Sequence, residues 1–464
     1  MSVAEATPDF EQVDRHDRAF LGHPKGLGFL GFTEGCERFS YYSMQTLLVL
    51  YMVNYLLVPG HMENVVGLQW LQAHLYRGLE GQPLASAIFG SYAALVYFTP
   101  IFGGILADRL LGRTRTLVLG GLLMALGHFL MAIESAFVFA LIALVLGVGA
   151  FKGNIASQVG ALYGPNDLRR AMAFQIFYIF INVSVIIAPL ISGTLGQKVG
   201  WHYGFGCAGV VMVLGLGIYL SGRKWLAPDD RAVKTAREPR EKLSREDWVS
   251  VTYLVILIPI LAISMLTNQQ IFNAYLTWGD QQFDLRLLNN TSSWLITVDA
   301  AVSFSMLVAV AAFWKWRATR GTEPDEITKM IIGSAFTIAG AMCLFMAALT
   351  QPHGGKISLF WPMLFELMNS IGFAHILPVS LALFSKIAPR QINATVIGLY
   401  YLAFFLANAI VGWVGGLYSS LPTTTFWLIH AASAAVGLLA FSLFKAVTGR
   451  TIGMGPKEQA AALS

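Results

Sequence analysis

The chain has 464 residues, 56% hydrophobic and only 12% charged, with a mean hydropathy of +0.61 and a formal net charge of +5. Soluble globular chains carry about 25% charged residues, so this composition excludes a water-soluble domain and indicates a polytopic membrane protein. The small positive balance leaves no footprint for nucleic acid.

The N-terminal stretch MSVAEATPDFEQVDRHDRAF is polar and acidic and has no apolar core, so no cleaved signal peptide is expected. Apolar runs of bilayer-crossing length (about 20 residues) then follow at 27–57, 84–108, 116–133, 136–158, 171–193 and 201–220. A polar segment, 221–247, contains DDRAVKTAREPREKLSRED and is too short and charged to hide further spans. Six more runs follow at 248–277, 293–314, 327–350, 357–385, 392–418 and 424–446. The predicted organisation is therefore a cytoplasmic segment 1–26, a six-helix bundle 27–220, a basic linker 221–247, a second bundle 248–447 and a tail 448–464. Cys36, Cys207 and Cys343 fall singly within apolar runs, without metal-ligand spacing, and read as free buried thiols.

Lys and Arg set the orientation. With the N-terminus inside, 25 of the 31 fall on the cytoplasmic side. The outer loops hold Arg77, Lys198, Arg286 and Lys356 only. This asymmetry predicts that both termini face the cytoplasm. Two six-span halves joined by a basic linker suggest an all-α transporter of the major-facilitator type, with cargo bound at midplane between the halves. After the second span, GGILADRLLGRTRT runs from Gly103 to Thr116. Its glycines let helices approach closely, and Asp108 beside Arg109, Arg113 and Arg115 is expected to form a charged latch at the inner face.

A charge at midspan costs about 2.5–3.5 kcal/mol on insertion scales, so each one is a candidate functional group. The inventory is Glu34, Glu37 and Arg38 in the first span, Lys152 in the fourth, Asp299 in the eighth and Glu366 in the tenth. His128, His375 and His430 lie in or near spans three, ten and twelve, and His375 reads as a packing histidine. Four acids face two fixed cations. A carboxyl buried without a cationic partner tends to hold a proton, so the surplus suits proton carriage. Within TEGCERFSYY (33–42), Glu34, Glu37, Arg38 and Tyr41 fall at i, i+3, i+4 and i+7 on one helical face. Protonating a glutamate there would loosen its hold on the arginine and free a planar fork of donors for a carboxylate. Lys152, in GVGAFKGN, lies deep in its span and can reach towards Glu34, Glu37 or a cargo anion.

These residues resemble a known family. ExxERFxYY, here Glu34–Tyr42, is the hallmark of the proton-dependent oligopeptide transporters. GSYAALVYFTPIFGGILADRLLG, GVGAFKGN, FQIFYIFINVSVIIAP and SKIAPRQINAT are similar to that family's second-span, fourth-span, fifth-span and inner-loop signatures. The likeness covers nearly the whole chain. It implies a symporter importing di- and tripeptides on the proton gradient, with no enzymatic activity and no cofactor beyond H+. By matching positions, Glu34 and Glu37 would handle the proton, while Arg38 and Lys152 would take the peptide carboxylate. Tyr41, Tyr42, Tyr97 and Asn182 would line the pocket.

The departures are specific. Gln45 stands where many members have Arg, and Asn268-Gln269-Gln270 where many have an acid. A hydrogen-bonded gate of Gln45 and Gln269 is therefore expected in place of an ion pair, with Asn268 and Gln269 also contacting cargo. The usual tenth-span Gly-Glu reads Gly372-Phe373, so the amine-binding acid is missing. Asp299, where the family has Asn, or Glu366, seven residues before Phe373, is expected to bind the amine, with Asp299 favoured. Tyr400 replaces a familiar Trp, and Gly90 a second-span His. The alternative cargo is another small anion or zwitterion, such as nitrate or a modified amino acid. An intramembrane hydrolase or a receptor is disfavoured by the absence of hydrolase motifs and the surplus of acids. The expected setting is a bacterial inner membrane, as a monomer.

Overall fold

The computed structural model describes residues 17–164, 167–227, 243–321 and 323–448. The tail from 449, most of the N-terminal segment and the middle of the linker lie outside the described residues. Ten helices are long and apolar enough to cross a membrane. They are α2 (Gly81–Leu111), α4 (Glu134–Ala161), α5 (Arg169–Lys198), α6 (Trp201–Trp225), α7 (Arg245–Ser264), α8 (Trp294–Ala318), α9 (Glu326–Leu349), α10 (Phe360–Ile387), α11 (Thr395–Ser419) and α12 (Thr423–Thr448). Two more long helices, α1 (Lys25–Tyr51) and α3 (Arg113–Leu130), stand where the remaining spans are expected. Both are more polar, since α1 carries Glu34, Glu37 and Arg38 and α3 opens on Arg113 and Arg115. Among the described residues no strand forms; two isolated bridges join Phe20 to His23 and Phe283 to Ile357. Large apolar side chains such as Phe139, Ile142 and Leu146 face outwards along α4, as lipid-facing residues do.

Glycines set two of the closest helix approaches. A Cβ on Gly90 of α2 would lie 2.6 Å from the Gly412 nitrogen of α11, so the two halves touch backbone to backbone there. A Cβ on Gly149 of α4 would meet Thr99 of α2 at 2.7 Å.

The seventh span departs from the sequence expectation of one continuous helix over 248–277. α7 contains Pro259 and ends at Ser264. The chain continues as a short turn, Leu266–Gln269, and a 3₁₀ turn, Gln270–Phe272, then bends at Asn273 (φ −122°, ψ −104°) before Ala274–Gln282. Irregular backbone is tolerated at membrane depth only inside protein, and Asn273 is fully buried. Its side chain accepts from Ser86 Oγ (2.9 Å) and donates to the Val411 carbonyl (3.4 Å). The bend thus becomes a cross-link between the halves.

The halves meet at one end. Asp280 accepts from Asn54 (2.9 Å), Gln197 (3.2 Å) and Ser292 (2.7 Å). Gln197 accepts from the Ser293 N–H (2.9 Å), and Trp294 Nε1 donates to Thr194 (2.9 Å). Gln82 donates to the Gly415 carbonyl (3.0 Å). These bonds join the ends of α1 and α5 and the start of α2 to the seventh span, the start of α8 and the end of α11. It is the end that the Lys and Arg distribution assigns to the outside.

The inner latch expected of Asp108, Arg109 and Arg113 is not formed. Among the described residues no ion pair joins Asp108 to either arginine. Asp108 and Arg109 are exposed on the last π turn of α2, and Gly112 (φ 81°) swings the chain away into α3. Water competes well with such surface pairs. Ion pairs among the described residues at this end are instead Arg169–Asp167 (2.8 Å), Lys445–Asp325 (2.7 Å), Lys386–Glu326 (3.2 Å) and Lys329–Glu323.

Candidate functional site

Below the closed end, a cavity of about 490 Å³ lies between the halves. The regular helix of α1 carries Glu34, Arg38, Tyr41, Tyr42 and Gln45 to its wall, as the i, i+4, i+7 spacing requires. Arg38 Nε lies 3.0 Å from Glu34 Oε1 and 2.5 Å from Glu37 Oε2. Glu37 sits behind this pair and is fully buried, while Glu34 and Arg38 are 4% and 5% exposed. These are close ion pairs without hydrogen-bond alignment: Arg38 Nε and Nη2, Glu34 Oε2 and both Glu37 oxygens have no bonded partner. Two carboxylates therefore grip one guanidinium whose donors remain largely unspent. A buried donor left without an acceptor is costly, so an incoming carboxylate has a place ready for it.

Lys152 also faces the cavity, but it does not pair with Glu34 or Glu37 as expected. Its Nζ stands 4.5 Å from the Tyr97 ring and 5.8 Å from the Tyr41 ring, and no carboxylate lies within ion-pair distance. Both first-span acids are already committed to Arg38, and the aromatic faces supply the ammonium with an alternative. Arg38 itself lies 5.1 Å from the Tyr41 ring.

The pair expected to form the gate is also apart. Gln45 Nε2 donates to the Tyr41 hydroxyl (2.7 Å), one turn back on its own helix. Gln269 accepts from Asn408 (3.2 Å) and donates to Asn268 (3.1 Å), both in its own half. Each amide is satisfied locally, and the closure across the halves falls to Asp280 and its donors instead. Asn182 lines the wall with its amide donating to the Tyr178 carbonyl (2.8 Å). Tyr400 shares hydrogen bonds with Ser380 (3.1 Å) and the Leu377 carbonyl (3.2 Å).

The two acids of the second half are separated by depth. Asp299 of α8 faces the cavity, with Ser303 Oγ 3.5 Å from its Oδ1. Glu366 of α10 is 0% exposed and does not reach the wall. His375 is held between the Ile371 carbonyl (2.8 Å) and Trp314 Nε1 (3.1 Å), as a packing histidine is. Sequence reasoning passed over Tyr178, Phe272, Ser303, Tyr401 and Asn408, which also line the cavity. Two carried a signal: Ser303 follows Asp299 at i+4, and Asn408 is an amide at midspan.

The Major Facilitator Superfamily profile matches residues 40–412, and the "Uncharacterized transporter YclF" of Bacillus subtilis is 30% identical over 88% of this chain and 91% of its own. A "Di-/tripeptide transporter" of Lactococcus lactis subsp. cremoris is 28% identical, over 90% of this chain and 94% of its own. A crystal structure of a point mutant of "peptide transporter POT" superposes with a TM-score of 0.78 at 27% identity, covering 95% of this chain and 97% of that one. The chain is a proton-dependent oligopeptide transporter by family, within the Major Facilitator Superfamily. This member of the family is a multi-pass membrane protein. At 22% identity, a POT family transporter in complex with 5-aminolevulinic acid shares the fold, with a TM-score of 0.77. In this transporter the first-span cluster of Glu34, Glu37 and Arg38 is assembled, and the second half presents Asp299 to the same cavity.

Proposed function

We propose that this protein is a proton-coupled symporter that imports di- and tripeptides by alternating access across a bacterial inner membrane. The observation that carries this reading is the placement of Arg38, gripped by Glu34 and Glu37, on one wall of a cavity whose other half presents Asp299. A short peptide is a zwitterion and needs a cationic and an anionic end. The cavity volume lies within the range of small-molecule sites, about 300–1,000 Å³.

The mechanism follows from charge balance. The cargo carboxylate docks on Arg38 and Lys152, and its ammonium on Asp299. Tyr41, Tyr42 and Tyr97 give apolar faces to varied side chains and hydroxyls to the peptide bond. A proton arriving at Glu34 or Glu37 weakens the grip on Arg38 and releases its donors to the cargo. Proton and peptide therefore favour each other's binding. The closed outer end with a cavity beneath it fits the inward-facing state, and breaking the Asp280 bonds opens the other route. The working unit is a monomer, and H+ is the only coupling ion.

The test is uptake of labelled dialanine into proteoliposomes under an imposed inward proton gradient. Accumulation is expected, and counterflow without a gradient is expected to survive in Glu34→Gln and Glu37→Gln while accumulation is lost. A protein that exchanges dialanine with no response to the gradient sinks the coupling. A second cargo class, small amino acids with a separated ammonium and carboxylate, is favoured by the same two-ended wall. The relative in complex with 5-aminolevulinic acid supports it, and competition of that compound against dialanine measures it.

A further inference from the structure

Glu366 is fully buried in α10, and neither of its oxygens receives a hydrogen bond from any N–H or O–H of the protein. Ser303 and Ser370, each one turn beyond Asp299 and Glu366 on α8 and α10, share a 2.9 Å hydrogen bond, which sets Glu366 beside Asp299, whose own carboxyl forms the cavity wall. Two carboxylates cannot hydrogen-bond to each other; two carboxyls can, if one of them holds a proton. Tyr275 lies beside Glu366 without being aligned to donate. Tyr42 of α1 is near Asp299, and Ser303 supports it from one turn along. The titratable groups that act on the pair from other elements are Tyr275 and Tyr42; His430 of α12 has its Nδ1 turned to the Phe426 carbonyl (2.9 Å). Among the described residues no Lys or Arg acts on either acid. Two unscreened negative charges at this depth would repel strongly.

We propose that Glu366 keeps a proton throughout the transport cycle and donates it to Asp299, holding the Asp299 carboxylate at the cavity wall as a single negative charge. Glu366 is thus the positioning residue of the subsite for the cargo ammonium, and this rests on the reading of Asp299 as that subsite. The depth of the two groups fixes the assignment. Asp299 meets the cavity and can exchange a water partner for a cargo ammonium, whereas Glu366 has no outlet for a charge. The subsite therefore offers one negative charge and selects cargo with one cationic end.

The experiment compares dialanine with its N-acetylated form, which lacks the ammonium, as competitors in counterflow through proteoliposomes. Wild type, Asp299→Asn, Glu366→Gln and Glu366→Leu are measured, each first shown to be monodisperse in detergent. Wild type is expected to prefer the free amine. Glu366→Gln, whose amide can still donate, is expected to keep that preference within about twofold and to keep gradient-driven accumulation. Asp299→Asn and Glu366→Leu are expected to lose at least tenfold of it. The wild-type minus Glu366→Gln infrared spectrum should also show a protonated-carboxyl band, and that band should be the same with and without dialanine. If Asp299→Asn keeps the preference, the ammonium subsite itself is misplaced and the inference falls with it. If Asp299→Asn loses it and Glu366→Leu keeps it, only the role of Glu366 is overturned. Should Glu366→Gln exchange dialanine but fail to accumulate it, Glu366 passes its proton on each cycle and the fixed-donor role is wrong. The infrared and Glu366→Gln results decide the matter even where Glu366→Leu does not fold.

Discussion

Asp280, in the second half, accepts a 2.9 Å hydrogen bond from Asn54, in the first, and takes two more from Gln197 and Ser292. Three neutral donors from three segments converge on one carboxylate. Hydrogen bonds to a charged group are worth about 1.5–3 kcal/mol each, less where water competes, and Asn54 is exposed. Asp280→Ala is expected to shift the resting balance at least about tenfold, about 1.4 kcal/mol, towards the outward-open state. Spin labels at Val58 and Leu287, both exposed beside this end, would report the change as a longer distance distribution. An unchanged distribution would show that the backbone contacts around Gly90 hold the closure alone.

Gly90 and Gly412 carry the other part of that closure. A side chain at Gly90 would bring its Cβ to 2.6 Å from the Gly412 nitrogen, so even Gly90→Ala forces α2 and α11 apart. Overpacking of this kind costs about 1–3 kcal/mol. The expected outcome is a lower unfolding temperature in detergent and a loss of counterflow, because the outer end no longer seals. Gly104, which has open space around it, serves as the control: Gly104→Ala should leave both measurements near wild type.

The first-span clasp was legible because helical periodicity alone puts Glu34, Arg38 and Tyr41 on one face, and burial of that face follows from the cost of placing it in lipid. The break in the seventh span was not. Its residues are mostly apolar from Val249 to Leu266, and the polar run Asn268-Gln269-Gln270 that follows is equally compatible with a helix lining a cavity; what bends the chain is Asn273 bonding to Ser86 and Val411, far away in sequence. The order of the two second-half acids was hidden for the same reason, since depth behind a cavity wall depends on how α8 and α10 pack. Gln45 offers a contrast. Its bond to Tyr41 is an i, i+4 contact of the kind helical periodicity carries, whereas a gate between the halves depends on packing that periodicity does not carry.

Arg38→Ala leaves Glu34 and Glu37 buried together with no cation between them. Removing one partner of a buried ion pair costs about 3–5 kcal/mol, unless the acids take up protons. Unfolding of this variant in detergent is therefore expected to become strongly pH-dependent. It should be most destabilised at alkaline pH, where both acids must ionise, and partly recovered as the pH falls. Wild type, with the arginine in place, should show the weaker dependence. A variant equally stable at both ends of the range would mean that these acids reach water by another path.

Lys152 gives the sharpest test of how the cargo carboxylate is recognised. Its ammonium rests 4.5 Å from the Tyr97 ring, an interaction worth about 0.5–2 kcal/mol and weak enough to be exchanged for an ion pair. Lys152→Gln removes the charge while keeping a polar side chain of similar reach. It is expected to weaken binding of dialanine by at least tenfold and to leave binding of its C-terminal amide, which has no carboxylate, within about twofold of wild type. Tyr97→Leu should act oppositely, because an ammonium deprived of its ring is driven towards Glu34, Glu37 or the cargo. If both peptides lose affinity equally in Lys152→Gln, the lysine shapes the cavity and Arg38 alone reads the carboxylate.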